Sequence, residues 1–368
     1  MKIKVAPQPG LASIPPYKPG RSIEEIQRQY GIQDVIKLAS NENPLGASPR
    51  ALSVLMQSLS KVNFYPDGQC YNLRNALALK LGVDSEQIII GNGEDGLILE
   101  TCIAFLDNDS EVIVSKSSFP VYDIYSSGMR ARVIKTPLKN HCLDLEAMAA
   151  AITGRTRIIF VCNPNNPTGT IVPAGQVSWF MERVPDNVLV IFDEAYLEYV
   201  DDPHFPDTMS YVREGRENVM VMRTFSKVYG LAGLRLGYAA SSPATLTHLY
   251  SVKEPFSVNM LAQIAGEAAL DDNEFIERTL SVYRSGRDYL YKEFDRLDLN
   301  YLKTQANFIL VELGPRACDI IEALMQKGVI IRPCVAYDLP AFARISIGSA
   351  EQNQRLVKTL EEVLYGCK

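Results

Sequence analysis

The chain predicts an α/β fold: a larger domain built on a mostly parallel sheet flanked by helices, plus a smaller α+β domain. Three observations carry this expectation. Short apolar runs bounded by Gly, Pro or Asn recur through the middle of the chain, as strands buried on both faces do. Segments of helical period lie between many of them. After about Pro255 the pattern changes to long helical periodicity followed by three further strand candidates. The expected division is residues 1–45 as an N-terminal arm and helix packing with the smaller domain, 46–255 as the larger domain and 256–368 as the smaller one.

Residues 1–20 are rich in Pro and Gly and read as an extended arm. Residues 21–30 read as a helix, with Ser22 as its N-cap. Strand candidates follow at 87–90, 111–115, 130–135, 157–162, 188–192, 219–223 and 235–240, with helical segments such as 96–106 and 175–183 between them. Helical periodicity then runs over 258–297. The last strand candidates, 307–312, 329–332 and 344–348, are accompanied by helices over 316–327 and 352–365. No repeat of solenoid length is visible.

The composition excludes several classes. A length of 368 residues with 47% hydrophobic content predicts about two domains with a large core. A net charge of -6 argues against a nucleic-acid or anionic-membrane partner. No apolar run is long enough to span a bilayer, and the N-terminus lacks the apolar core of a secretory signal. The seven cysteines are scattered, odd in number and without CxxC spacing, which fits reduced thiols in a cytoplasm. His141, His204 and His248 stand far apart and read as surface or capping residues, so no metal site is expected.

Four blocks carry chemistry. The apolar run 188–192 ends in Asp193-Glu194-Ala195-Tyr196, and the carboxyl ends of strands are where open α/β sheets place ligands. Alone, Asp193 reads equally as a loop cap; a buried Asp otherwise needs a cationic partner. Asn163-Pro164-Asn165-Asn166-Pro167-Thr168-Gly169 follows another apolar run and reads as a turn or as a source of the Asn166 amide. Ser226-Lys227 follows the run 219–223, with Gly230, Gly233, Arg235 and Gly237 downstream. A lone Lys is ordinarily a solvated surface residue. Here glycines permit close backbone approach, and an Arg fork suits a phosphate. Gly91-Asn92-Gly93-Glu94-Asp95-Gly96 lies at a strand-to-helix junction, where free N–H groups attract phosphate.

In this order the blocks resemble those of aminotransferases that use pyridoxal 5′-phosphate (PLP), fold type I. Over nearly the whole chain the sequence resembles the histidinol-phosphate aminotransferase family. Further matching segments are Pro16-Tyr17-Lys18-Pro19-Gly20, Asn41-Glu42-Asn43-Pro44, Tyr65-Pro66-Asp67, Asn307-Phe308, Arg332-Pro333 and Arg344-Ile345-Ser346. The resemblance implies that Lys227 holds the cofactor aldehyde as a Schiff base and then acts as general acid and base. It implies that Asp193 pairs with the ring nitrogen, that Tyr196 and Asn166 contact the 3-oxygen, and that Phe119 stacks on the ring. Ser226, Arg235 and the backbone N–H groups of Glu94 and Asp95 would hold the phosphate, with Tyr65 reaching that of a neighbouring subunit in a homodimer. Arg344 would clamp a carboxylate and Arg332 a distal phosphate; Tyr17 and Asn43 are expected among the substrate contacts. The implied reaction joins histidinol phosphate and 2-oxoglutarate to imidazole acetol phosphate and glutamate.

Two segments depart from the family pattern. Glu94 and Gly96 stand where Ser and Glu are common, and Ser117-Ser118-Phe119 stands where Pro-Thr-Tyr is common. Rivals are an aromatic amino acid aminotransferase, a PLP-dependent decarboxylase of phosphorylated amino acids, and a PLP-binding transcription regulator. The last would need a basic DNA-binding domain, which this sequence does not show.

Overall fold

Alternating apolar side chains along strand Leu189–Asp193 enter two different cores: Val190 and Phe192 join one cluster, Leu189 and Ile191 the other. A strand with two apolar faces needs cover on both, and helices supply it. The computed structural model describes residues 20–366, together with Val5 and Ile14. The rest of the arm read over residues 1–20, including Tyr17, lies outside the described residues.

The strands are β1 (Ile36–Leu38), β2 (Ile88–Asn92), β3 (Glu111–Ser115), β4 (Arg132–Thr136), β5 (Leu138–Lys139), β6 (Cys142–Leu143), β7 (Thr156–Cys162), β8 (Leu189–Asp193), β9 (Val219–Thr224), β10 (Leu236–Ser241), β11 (Phe308–Glu312), β12 (Val329–Pro333) and β13 (Phe342–Ser346). The larger sheet runs in the order β2, β10, β9, β8, β7, β3, β4. Only β10 is antiparallel to its neighbours. The carboxyl ends of β2, β7, β8 and β9 therefore share one edge with the start of β10. The blocks that follow those strands meet there.

The smaller sheet runs β1, β12, β13, β11. β1 lies parallel to β12 with Leu38 opposite Ile331, and β12 lies antiparallel to β13 with Arg332 opposite Arg344. Strand β1 is absent from the sequence expectations, because three residues are too short to show a period. Its pairing carries the following segment, residues 39–43, across to the larger sheet.

Several helices differ from expectation. The helix expected over 96–106 is Gly93–Phe105, so Glu94 and Asp95 form its first turn. The periodicity over 258–297 breaks into helices Met260–Leu270 and Asn273–Arg296. The Asp272 side chain accepts from Phe275 N–H and starts the second, as Asn259 accepts from Ala262 N–H to start the first. Helices Pro49–Ser58 and Pro243–Val252 stand where no helix is expected; each opens with a Ser N-cap and Pro in its first turn. No helix among the described residues is long and apolar enough to cross a membrane.

Candidate active site

A cleft of about 280 Å³ opens between the two sheets. Lys227 projects into it from the loop after β9, and its Nζ lies 3.4 Å from the Ser40 carbonyl. Ser40 follows β1, so the short strand supplies one wall. Burial, and then the nearby Arg344 guanidinium, lowers the Lys227 amine to about 8. At neutral pH this amine keeps a neutral, nucleophilic fraction that a surface lysine lacks.

Asp193 closes β8 opposite Cys162 of β7. Its Oδ1 accepts from Ala195 N–H at 3.1 Å, and its Oδ2 accepts from the Tyr122 hydroxyl. Burial raises both Asp193 and the adjacent Glu94, and the donors Tyr122 and Ala195 oppose the shift at Asp193. The Tyr196 hydroxyl accepts from Asn41 Nδ2 at 2.9 Å, while burial raises its phenol. Asn166 turns its carbonyl to Arg344 Nη1 at 2.6 Å, which leaves the amide protons for another partner. Phe119 lines the same cleft and meets Tyr122 edge to face.

The first turn of helix Gly93–Phe105 faces this cleft beside Arg235. Arg235 Nη2 reaches Asp95 Oδ2 at 3.2 Å. A Cβ on Gly93, whose φ is +73°, would stand 2.6 Å from Arg235 Nη2, and one on Gly237 would stand 2.6 Å from Glu94 N. These glycines let the guanidinium and β10 approach a helix N-terminus. Free N–H groups, the helix dipole and an Arg fork there make an anion cradle. Ser226, also in the lining, adds a hydroxyl.

Across the cleft stand Arg332 and Arg344, 7% and 5% exposed. Besides Asn166, Arg344 donates to the Ala39 carbonyl at 2.7 Å and to Tyr337 Oη at 3.2 Å. The structure brings Glu94, Asp95, Phe119, Asn166, Asp193, Tyr196, Ser226, Lys227, Arg235, Arg332 and Arg344 into one lining.

Two expected residues lie elsewhere. Asn43 is outside the lining: its amide donates to the Val228 carbonyl at 2.9 Å and to Thr279 Oγ1 at 3.1 Å, and its side-chain carbonyl accepts from Leu45 N–H. It ties the segment after β1 to the Lys227 loop. Tyr65 is 83% exposed and stacks on Phe256, 4.8 Å between centroids, away from this chain's cleft. Asn41, Tyr122 and Tyr337 are site residues missing from the sequence expectations. Asn41 lay two positions from Asn43 in the same block; Tyr122 had no signal beyond standing three after Phe119. Among the described residues no group of three or more His, Cys, Asp or Glu is placed to hold a metal.

The profile of "Aminotransferase class I and II" matches residues 33–360. This chain belongs to that aminotransferase family. A relative from Moorella thermoacetica, a histidinol-phosphate aminotransferase, is 48% identical over 96% of this chain and 92% of its own. Another so named, from Caldicellulosiruptor saccharolyticus, is 42% identical over 96% and 99%. The crystal structure of histidinol-phosphate aminotransferase from Sinorhizobium meliloti, in complex with pyridoxal-5′-phosphate, superposes with a TM-score of 0.88 at 28% identity, over 97% of this aminotransferase and 96% of that chain.

Proposed function

We propose that this aminotransferase uses PLP to move the amino group of histidinol phosphate to 2-oxoglutarate, giving imidazole acetol phosphate and glutamate. The observation that carries the substrate is the pair Arg332 and Arg344, opposite one another on β12 and β13 and both lining the cleft that holds Lys227. A guanidinium binds carboxylate or phosphate alike, so two of them side by side in the cleft suit substrates that carry anionic groups. Glutamate brings two carboxylates. Histidinol phosphate brings a phosphate and no carboxylate, so one Arg suffices for it.

The residues present fit PLP. The cradle formed by the first turn of helix Gly93–Phe105, Arg235 and Ser226 suits its phosphate, and Asp193 suits a protonated ring nitrogen. Tyr196 and Asn166 would face the 3-oxygen, Phe119 the ring, and Lys227 the aldehyde. Bound there, PLP supplies an electron sink for the substrate's α-carbon. Lys227 Nζ takes the proton from that carbon and returns it elsewhere, a role suited to an amine near 8. Asp193 holds a negative charge at the ring nitrogen, with Tyr122 and Ala195 fixing its carboxylate. The Ser40 carbonyl, in the segment after β1, lies 3.4 Å from Lys227 Nζ and helps to hold that amine in the cleft.

Arg332→Ala tests the substrate reading. Removing a charge-assisted contact to a bound phosphate costs about 1.5–3 kcal/mol, roughly tenfold or more in kcat/KM. The expected result is a loss of that size with histidinol phosphate and a smaller one with phenylalanine, each with 2-oxoglutarate. Equal losses for both donors would assign Arg332 to the fold.

A homodimer in the cytoplasm belongs to the same proposal, as does the division of the chain near residues 45 and 255. Val62, Phe64, Tyr65 and Phe256 form one exposed apolar surface around a groove, of the kind that marks a protein interface. Tyr65 would there reach the phosphate of the neighbouring subunit. Mixing an inactive Tyr65 variant with an inactive Lys227 variant is expected to restore activity in hybrid dimers. No recovery, with subunit exchange verified by mass, counts against shared sites.

A further inference from the structure

Asp193 has another acid for a neighbour. Glu94, 9% exposed, stands on the first turn of helix Gly93–Phe105 and lines the cleft. Its carboxyl lies in hydrogen-bonding contact with Asp193, and its Oε1 has no hydrogen-bond partner among the described residues. Ionised carboxylates only accept, so this contact closes only when one of the two carries a proton. Asp193 already has a donor on each oxygen, Ala195 N–H on Oδ1 and Tyr122 on Oδ2; Glu94 has none on Oε1. Donors favour the anion, so the charge settles on Asp193 and the proton on Glu94.

We propose that Glu94 is a neutral acid whose proton bridges to Asp193, a positioning residue that keeps Asp193 anionic and keeps a second negative charge out of the phosphate cradle. The proposal rests on the PLP reading above. The groups facing Glu94 are Asp193 on β8, Asp95 on its own helix, Lys227 after β9, Tyr122 on helix Val121–Gly128 and Cys162 on β7. Burial, then Asp193, then Asp95 raise its carboxyl, and Lys227 opposes them. The sign follows: Glu94 is neutral below its raised value and ionises as pH rises through it. Once ionised, it repels Asp193 and the incoming phosphate, and PLP binds less tightly.

The test is the dissociation constant of PLP, by equilibrium dialysis from about pH 5 to about pH 10, for the full-length chain and for Glu94→Gln and Glu94→Ser. Glu94 also raises the Lys227 amine, so the comparison is repeated on a Lys227→Ala background, where that amine cannot contribute. The ratio of parent to variant constants is expected to stay level through the ordinary carboxylate range and to rise about fivefold or more at higher pH. Serine, common at this position in the family, serves if Gln fails to fold. A ratio that stays flat, or that changes only within the ordinary carboxylate range near pH 4–5, overturns the proposal. A parent chain that binds no PLP at any pH sinks the PLP reading instead, so the two failures are distinct.

Discussion

Lys227→Ala lowers turnover by about five orders of magnitude or more, the scale lost when the nucleophile of a covalent catalyst is removed, and leaves PLP without a covalent link to the chain. Among the described residues lining the cleft, Lys227 alone offers an amine. Borohydride reduction of the PLP-loaded protein and peptide mapping checks the attachment; a label on another lysine would sink it. A second readout needs no cofactor. The folded Lys227 amine lies near 8, below its ordinary 10.5, chiefly through burial. A depressed lysine destabilises the fold where it must stay charged, so the cost is fully present below about pH 8 and is relieved as pH rises toward 10.5. Removing the ammonium should therefore raise the melting temperature of the cofactor-free chain at pH 7, with the gain fading between about pH 8 and 10.5 and absent above that. A variant that melts lower than the parent at pH 7 would mean that Lys227 supports the fold. Stability given up at a reactive centre is the expected trade.

The parts of this protein that were legible beforehand are those in which one local signal suffices. Strand β8 is a continuous apolar run ended by two carboxylates, and its place follows from that alone; Asp193 read equally as a loop cap until the other blocks stood beside it. Strand β1 and Asn41 were not legible, because their roles come from partners about 300 positions away: β1 pairs with β12, and Asn41 N–H donates to Ser346 Oγ at 2.8 Å. Asn41 and Asn43 look alike in sequence. Only the tertiary contacts separate them, since one reaches Tyr196 and the other Val228. The break between helices Met260–Leu270 and Asn273–Arg296 was readable in Asp271-Asp272, a capping signal outweighed by a long apolar period. The helices starting at Pro49 and Pro243 were readable too, from Ser-Pro. The face-to-face pair Arg332 and Arg344 depends on strand register, which the sequence of either strand leaves open.

Asp193→Asn keeps the fold and loses most activity. The fold survives because the substitution is nearly isosteric and its bonds can be remade. An Asn carbonyl placed at Oδ1 still accepts from Ala195 N–H, and the amide at Oδ2 can donate to Tyr122, whose hydroxyl turns to accept. What is lost is the charge. A neutral amide no longer holds a proton on the ring nitrogen, so the electron sink weakens just when the α-proton leaves. Because that demand peaks in the transition state, the loss falls mainly on kcat and less on KM. Removing one oxyanion donor costs about 10²–10³ in kcat, and a buried charge partner is expected to cost at least that much. Circular dichroism with PLP titration separates a folded, loaded and slow variant from an unfolded one. Near-normal turnover in Asp193→Asn would reduce Asp193 to a strand-end cap held by Tyr122, the bland reading its sequence block allowed.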